Sequence, residues 1–266
     1  MTKSPTICFL LVVMMMLTTQ AVAQPNIDKG KELYSSKKYK EAENVFQAVQ
    51  KNSPDFAAAQ YYLGRIAYDK KEYDDAADYF EKSTEADPGN GDYFAWLGDA
   101  YSGIGSKAGF FTQMSVGPKA LRAWEKAAKL DPKNISARAS LVSSYMMAPA
   151  FMGGGEEKAK AVGAEVLALL DEALKNTPEN YLYHYWYGKS SAITGLKLDK
   201  GEASLQKYLT HTPSGDEPSL AAAYMRLGQI NEKQGRKAEA RKNYEVALKL
   251  DNKLKGAQEG LERISK

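Results

Sequence analysis

Small and apolar residues recur in register 34 positions apart: Gly30, Ala42, Phe46 and Pro54 return as Gly64, Ala76, Phe80 and Pro88. Within each unit the apolar positions fall three and four apart with charged residues between them, the spacing of helices that bury one face. One unit therefore predicts two helices, the first carrying Leu63, Gly64 and Ala67, the second Ala76 and Phe80, ending at Asp87-Pro88. Gly64 and Ala76 let the two backbones approach closely, and Phe80 fills the space between this unit and the next. Proline cannot continue a helix, so it fixes the turn into the following unit.

Four further copies continue the register. Leu97, Gly98 and Tyr101 open a third, whose Ala120, Trp124 and Asp131-Pro132 arrive ten residues late. The fourth has Leu141 and Tyr145, then a longer interruption before Leu170, Ala173 and Pro178. Tyr187-Gly188, Gly201, Leu205, Tyr208 and Pro213 make a looser fifth, and Leu227-Gly228, Ala240, Tyr244 and Ala247 a regular sixth. The boundaries are about 24–56, 57–90, 91–134, 135–180, 181–220 and 221–252. Residues 253–266 place Leu254, Ala257, Leu261 and Ile264 at helical spacing among charges, as a terminal cap with one polar face would. Tyr181 to Tyr187 alternates like a strand, but the register puts Tyr187-Gly188 at a helix crossing and overrides that reading, leaving Tyr185 as the best exposed candidate of the block.

These positions resemble the tetratricopeptide repeat family, over nearly everything after residue 24. The resemblance implies an all-α, right-handed superhelical solenoid of about six helix pairs with a C-terminal capping helix, and a concave face that takes a protein or peptide. On that face the family's first-helix positions fall on Tyr61, Arg65, Tyr68, Asp92, Asp99, Ser143, Met146, Tyr185 and Lys189. Tyr61, Arg65 and Tyr68 share one stripe at spacings of four and three. Either they bind, aromatic faces for apolar side chains and guanidinium for a carboxylate, or they pack helix on helix. The family's chaperone-tail clamp needs asparagine where Lys31 and Arg65 stand.

The two interruptions fall between the helices of consecutive repeats and are expected as loops side by side on one rim. The first carries Phe110, Phe111, Met114 and Val116, the second Pro149, Phe151 and Met152. They either pack on each other or form a ledge for a partner. Lys107-Ala108-Gly109-Phe110 and the segment from Pro149 to Ala159 also resemble a group of bacterial extracytoplasmic tetratricopeptide repeat proteins of unassigned role.

The first 23 residues stand outside this pattern. Lys3, an apolar run from Ile7 to Leu17 and Ala21-Val22-Ala23 read as an export signal cleaved before Gln24, which places the chain in the periplasm or outside the cell. Eleven apolar residues fall short of the roughly 20 that span a bilayer. Cleavage also removes Cys8, the single cysteine, and with it disulfide and thiolate chemistry. Lysine and arginine exceed aspartate and glutamate by three (36 against 33), which is no nucleic-acid footprint. The basic cluster Lys37, Lys38 and Lys40 reads as a solvated helix boundary.

No nucleophile elbow, metal-ligand spacing or phosphate loop occurs. His184 and His211 have no second histidine or cysteine at ligand spacing, and His184 falls at a core position. The glycines of 103–109 and 153–155 read as loop punctuation. The sequence thus predicts no enzyme and no cofactor, but a scaffold for a protein or peptide partner, exported to the envelope. A glycan- or lipid-binding module is the alternative that aromatic stripes also suit.

Overall fold

A computed structural model describes residues 26–214 and 217–266. The export signal of residues 1–23 lies outside the described residues, and of Phe110 only the backbone is described. The described chain is all-α, with thirteen α-helices and one 3-10 turn. In pairs these are α1 Ile27–Ser35 and α2 Tyr39–Gln47, α3 Phe56–Asp69 and α4 Tyr73–Ala86, α5 Gly91–Lys107 and α6 Phe110–Leu130. There follow α7 Ile135–Met147 and α8 Glu156–Asn176, α9 Tyr181–Thr194 and α10 Leu198–Tyr208, α11 Leu220–Lys233 and α12 Lys237–Leu250, and the cap α13 Lys255–Ser265. Each helix packs on the next in sequence, which is the paired-repeat solenoid the 34-residue period predicts.

Three of the unit boundaries are made by one short motif. Pro88, Pro132 and Pro178 lie just past the ends of α4, α6 and α8, and two residues later Asn90, Asn134 and Asn180 cap the next helix. The Asn134 side chain accepts from the Ala137 N–H at 2.9 Å and that of Asn180 from the Tyr183 N–H at 3.1 Å, satisfying donors that a first turn otherwise leaves open. Lys37 and Lys71, at the tight turns within the first two pairs, hold left-handed backbone at φ 57° and 63°.

The glycine-aromatic pairing sets the distance between paired helices. A Cβ added at Gly64 would lie 2.7 Å from the Phe80 ring, and the same crossing joins Gly98 to Trp124 and Gly228 to Tyr244. The fourth unit has Val142 instead, and there the facing side chains are the aliphatic Val166, Leu167 and Leu170, so volume moves from one helix to the other. A second device recurs between units: the Tyr101 hydroxyl donates to the Glu81 carboxylate, and that of Tyr145 to Glu125 at 2.7 Å, both twenty residues back. Burial and the adjacent carboxylate raise both phenols well above the ordinary tyrosine range, so they stay protonated donors.

Only the second interruption remains a connecting loop. The first is absorbed as helix, with α5 grown to 17 residues and α6 to 21 against 14 in α3 and α4, so Phe111, Met114 and Val116 lie on the opening turns of α6. The helix passes through Pro118, which can make no hydrogen bond to the carbonyl of Met114. The apolar spacing explains this, because Val116, Ala120, Trp124 and Ala127 keep helical intervals on the side that packs inward. The second interruption becomes the 3-10 turn Ala150–Met152, three glycines and a 21-residue α8.

Candidate functional site

The odd-numbered helices line one face of the stack. Along it α3 packs on α5, α7 on α9, α9 on α11 and α11 on α13, whereas α5 and α7 meet little beyond the Asp92–Asn134 hydrogen bond at their first turns and each packs mainly on α6. Cavities open at that gap. One, of about 770 Å³, runs from Ser102, Ser143 and Met147 past Lys189 to Arg226 and Arg263. A second, of about 250 Å³, lies between Tyr68, Asp99, Ser140 and the same Ser102, Ser143, Met147 and Lys189. The shared residues make the two a single groove. Small side chains keep it open, for Ser102 and Ser106 of α5 stand across it from Ser140, Ser143 and Ser144 of α7.

The expected concave-face residues divide into two groups. Tyr61, Arg65 and Tyr68 are occupied by neighbours: the Arg65 guanidinium lies 3.8 Å from the Trp96 ring centroid and donates to the Tyr61 hydroxyl at 2.8 Å. Tyr61 packs tilted against Tyr93 at 5.0 Å, and Tyr68 meets Trp96 edge-on at 5.2 Å. This aromatic half joins α3 to α5 and leaves little ring surface uncovered. Asp92 accepts from the Asn134 side chain at 3.0 Å, tying the first turn of α5 to the cap of α7. Ser143, Met146, Asp99 and Lys189 line the open groove.

Tyr185 corrects an expectation. It is buried, not exposed, because its ring packs 5.2 Å from that of Tyr208 on α10. Helix α9 turns the register that would expose it toward the next unit. His184 is half-buried, with its Nε2 at 2.9 Å from the Pro178 carbonyl. His211 stacks on Tyr181 at 4.5 Å and pairs with Glu217.

Two titrating groups meet in the groove. Burial pushes the Asp99 carboxyl up to about 6, even though the Trp124 indole N–H donates to it at 2.9 Å and the charges of Lys189 and Arg65 act the other way. Burial, and then the charge of Arg226, lower the Lys189 ammonium to about 8, partly countered by Asp99. Folded Asp99 holds its proton to higher pH than the unfolded chain does, so its ionisation costs stability as pH rises from about 4 to about 6 and the loss persists above. At 1.36 kcal/mol per unit and discounted for partial solvent screening, the cost is about 2 kcal/mol. Asp99→Asn, which keeps an acceptor for Trp124, is therefore expected to raise the unfolding temperature at pH 7.5 and leave it unchanged at pH 4.5. An equal shift at both pH values would remove ionisation as the cause.

The two insertions do lie together. Met114, Gly117 and Pro118 from the first line an apolar cavity of about 450 Å³ with Pro149 and Met152 from the second. Phe111 and Phe151 stand beside it 87% and 83% exposed. Sequence reasoning missed Arg226, Lys233 and Arg263 on the groove, although Arg226 and Lys233 lie two turns apart on a helix already in register.

Residues 27–91 and 221–254 match tetratricopeptide repeat families. Among solved structures, the type IV pilus biogenesis factor PilW is similar at 14% identity and TM-score 0.52, over 88% of this chain and 96% of that one. PilF of Pseudomonas aeruginosa is similar at 10% identity and TM-score 0.53, over 89% and 95%. Cut9, in its complex with Hcn1, gives 14% identity and TM-score 0.59, over 90% of this chain and 42% of that one. At these identities the likeness is one of fold. No curated protein matched by sequence. Among the described residues no helix is long and apolar enough to cross a membrane.

Proposed function

From the premise that this chain is a tetratricopeptide repeat protein, we propose that it is a non-catalytic scaffold that holds a peptide or protein partner in the groove along α5, α7, α9 and α11. The observation that carries the reading is the gap between α5 and α7, where a repeat array built on continuous contact leaves a cavity lined by hydroxyls, methionines and a lysine. An extended segment needs such a combination, apolar wall for side chains and polar groups for its backbone. Export is part of the proposal and rests on the pattern of residues 1–23, which places the partner in the bacterial envelope. The glycan or lipid alternative has less support, since Tyr61 packs against Tyr62 and Tyr93 and Tyr68 meets Trp96 edge-on.

The test is capture from solubilised envelope proteins by the tagged chain from Gln24 onward, with cross-linking. Ser143→Tyr, which fills the groove, is expected to abolish capture. Phe111→Ala/Phe151→Ala is expected to leave it intact. The reverse pattern would move the binding face to the insertions and overturn the groove. N-terminal sequencing of the exported chain checks the cleavage, with Gln24 expected first.

A further inference from the structure

Charge along the groove is not balanced. In its larger cavity Arg263 is neutralised by Glu232, which takes the Nε and Nη2 hydrogens at 2.9 and 3.0 Å and accepts from Tyr244 as well. Lys189, Arg226 and Lys233 line the same cavity, and none has an ion pair among the described residues. Arg226 donates only to the Gln229 side chain, at 2.8 Å, and its buried Nε–H has no acceptor. Lys189 has no hydrogen bond among the described residues and stands at the junction of the two cavities. Leaving a buried guanidinium donor unmatched costs free energy that an acceptor supplied by a partner would recover.

We propose, building on the scaffold reading, that the groove's partner is an acidic segment whose side-chain carboxylates sit between Lys189 on α9 and Arg226 and Lys233 on α11, with its aliphatic residues against Met146, Met147 and Ile193. Two features favour several side-chain carboxylates over one chain terminus. Three cations without an ion pair among the described residues exceed what a single carboxylate matches, and Arg226 and Lys233 are separated by seven residues, about 10 Å along the helix. An extended segment presents alternate side chains to one face about 7 Å apart, so the two carboxylates of a Glu-x-Glu pattern come within side-chain reach of cations about 10 Å apart. The lowered affinity of Lys189 for its own proton, caused by burial and by Arg226, fits a site that lacks its counter-charge.

The experiment measures fluorescence anisotropy of labelled eight-residue peptides with the chain from Gln24 onward. The probe is amidated (Leu-Glu)4, compared with amidated (Leu-Gln)4, amidated (Leu-Lys)4, and (Leu-Gln)4 with a free C-terminus. The glutamate peptide is expected to bind at least about tenfold more tightly than the amidated glutamine peptide, the scale of one charge-assisted contact. Lys189→Met/Arg226→Met, which keeps length and apolar stem, is expected to remove that preference without lowering the unfolding temperature. Asp99→Asn, which removes the carboxylate from the junction cavity, is expected to strengthen it. Equal binding of the Glu and Gln peptides overturns the proposal, as does a gain confined to the free C-terminus. Preference for vesicles of one-third phosphatidylglycerol over the glutamate peptide also overturns it. Because capture of an envelope protein by the groove is measured separately, loss of glutamate preference with capture intact sinks only the acidic partner, and loss of both sinks the scaffold.

Discussion

Phe80→Ala is expected to lower the unfolding free energy by about 3–5 kcal/mol, the range for deleting a fully buried ring. The ring is wholly buried. It covers Gly64 at a distance that admits no methyl group there, and it lies 6.0 Å from Tyr61 and 6.1 Å from Trp96. Its removal thus opens a void shared by two repeats. A solenoid has only neighbour contacts, so the damage stays local. Helices α1 to α6 are expected to lose hydrogen-exchange protection while α9 to α13 keep theirs. Uniform loss along the chain, or a change below about 1 kcal/mol, would show that the stack does not behave as a sum of units.

Gly154→Ala is expected to cost about 3 kcal/mol, at the upper end of overpacking penalties. An added Cβ would lie 1.9 Å from the carbonyl oxygen and 2.6 Å from the carbonyl carbon of Ala148. Those are backbone atoms at the end of α7, and no rotamer change relieves them. On either side Gly153 at φ 89° and Gly155 at φ 128° occupy backbone regions other residues avoid, and the Gly155 N–H donates to the Tyr145 carbonyl at 2.7 Å. Gly117→Ala is the control. An added Cβ there meets nothing within 4 Å inside α6, but the helix-propensity gain is offset by the crowding that Pro118 imposes on a preceding non-glycine residue, so a net effect within about 1 kcal/mol is expected. Chemical denaturation of the two variants decides it, and equal effects would show that close packing at Ala148 is not what fixes the turn.

The helix pairs are legible because each depends on a few residues whose size has no substitute. Gly64 with Phe80, or Gly98 with Trp124, states a crossing that only those volumes permit. The interruptions were harder to read, since Gly117-Pro118 signals a loop locally while Val116 and Ala120 signal a helix through their packing, and the tertiary contact prevails. Tyr185 shows a second limit: register places a residue on a helix, but whether it meets solvent or Tyr208 depends on where the next unit lies. For the same reason the stripe of Tyr61, Arg65 and Tyr68 could be drawn from spacing, whereas its occupation by Trp96 and Tyr93 could not. The charge imbalance at Lys189 and Arg226 arises only when α9 and α11 are set side by side.

Where inner and outer helices both touch their neighbours, a stack resists bending on two sides of its axis. Between the third and fourth repeats the inner helices are joined by little more than the Asp92–Asn134 hydrogen bond, and the outer helix α6 makes the main connection between α5 and α7. Flexure therefore concentrates at one joint, and the chain has the mechanics of two stiff arms meeting at an elbow. The width of the opening inside the elbow follows the angle between the arms, so a segment gripped there is also a brace that sets the shape of the whole molecule.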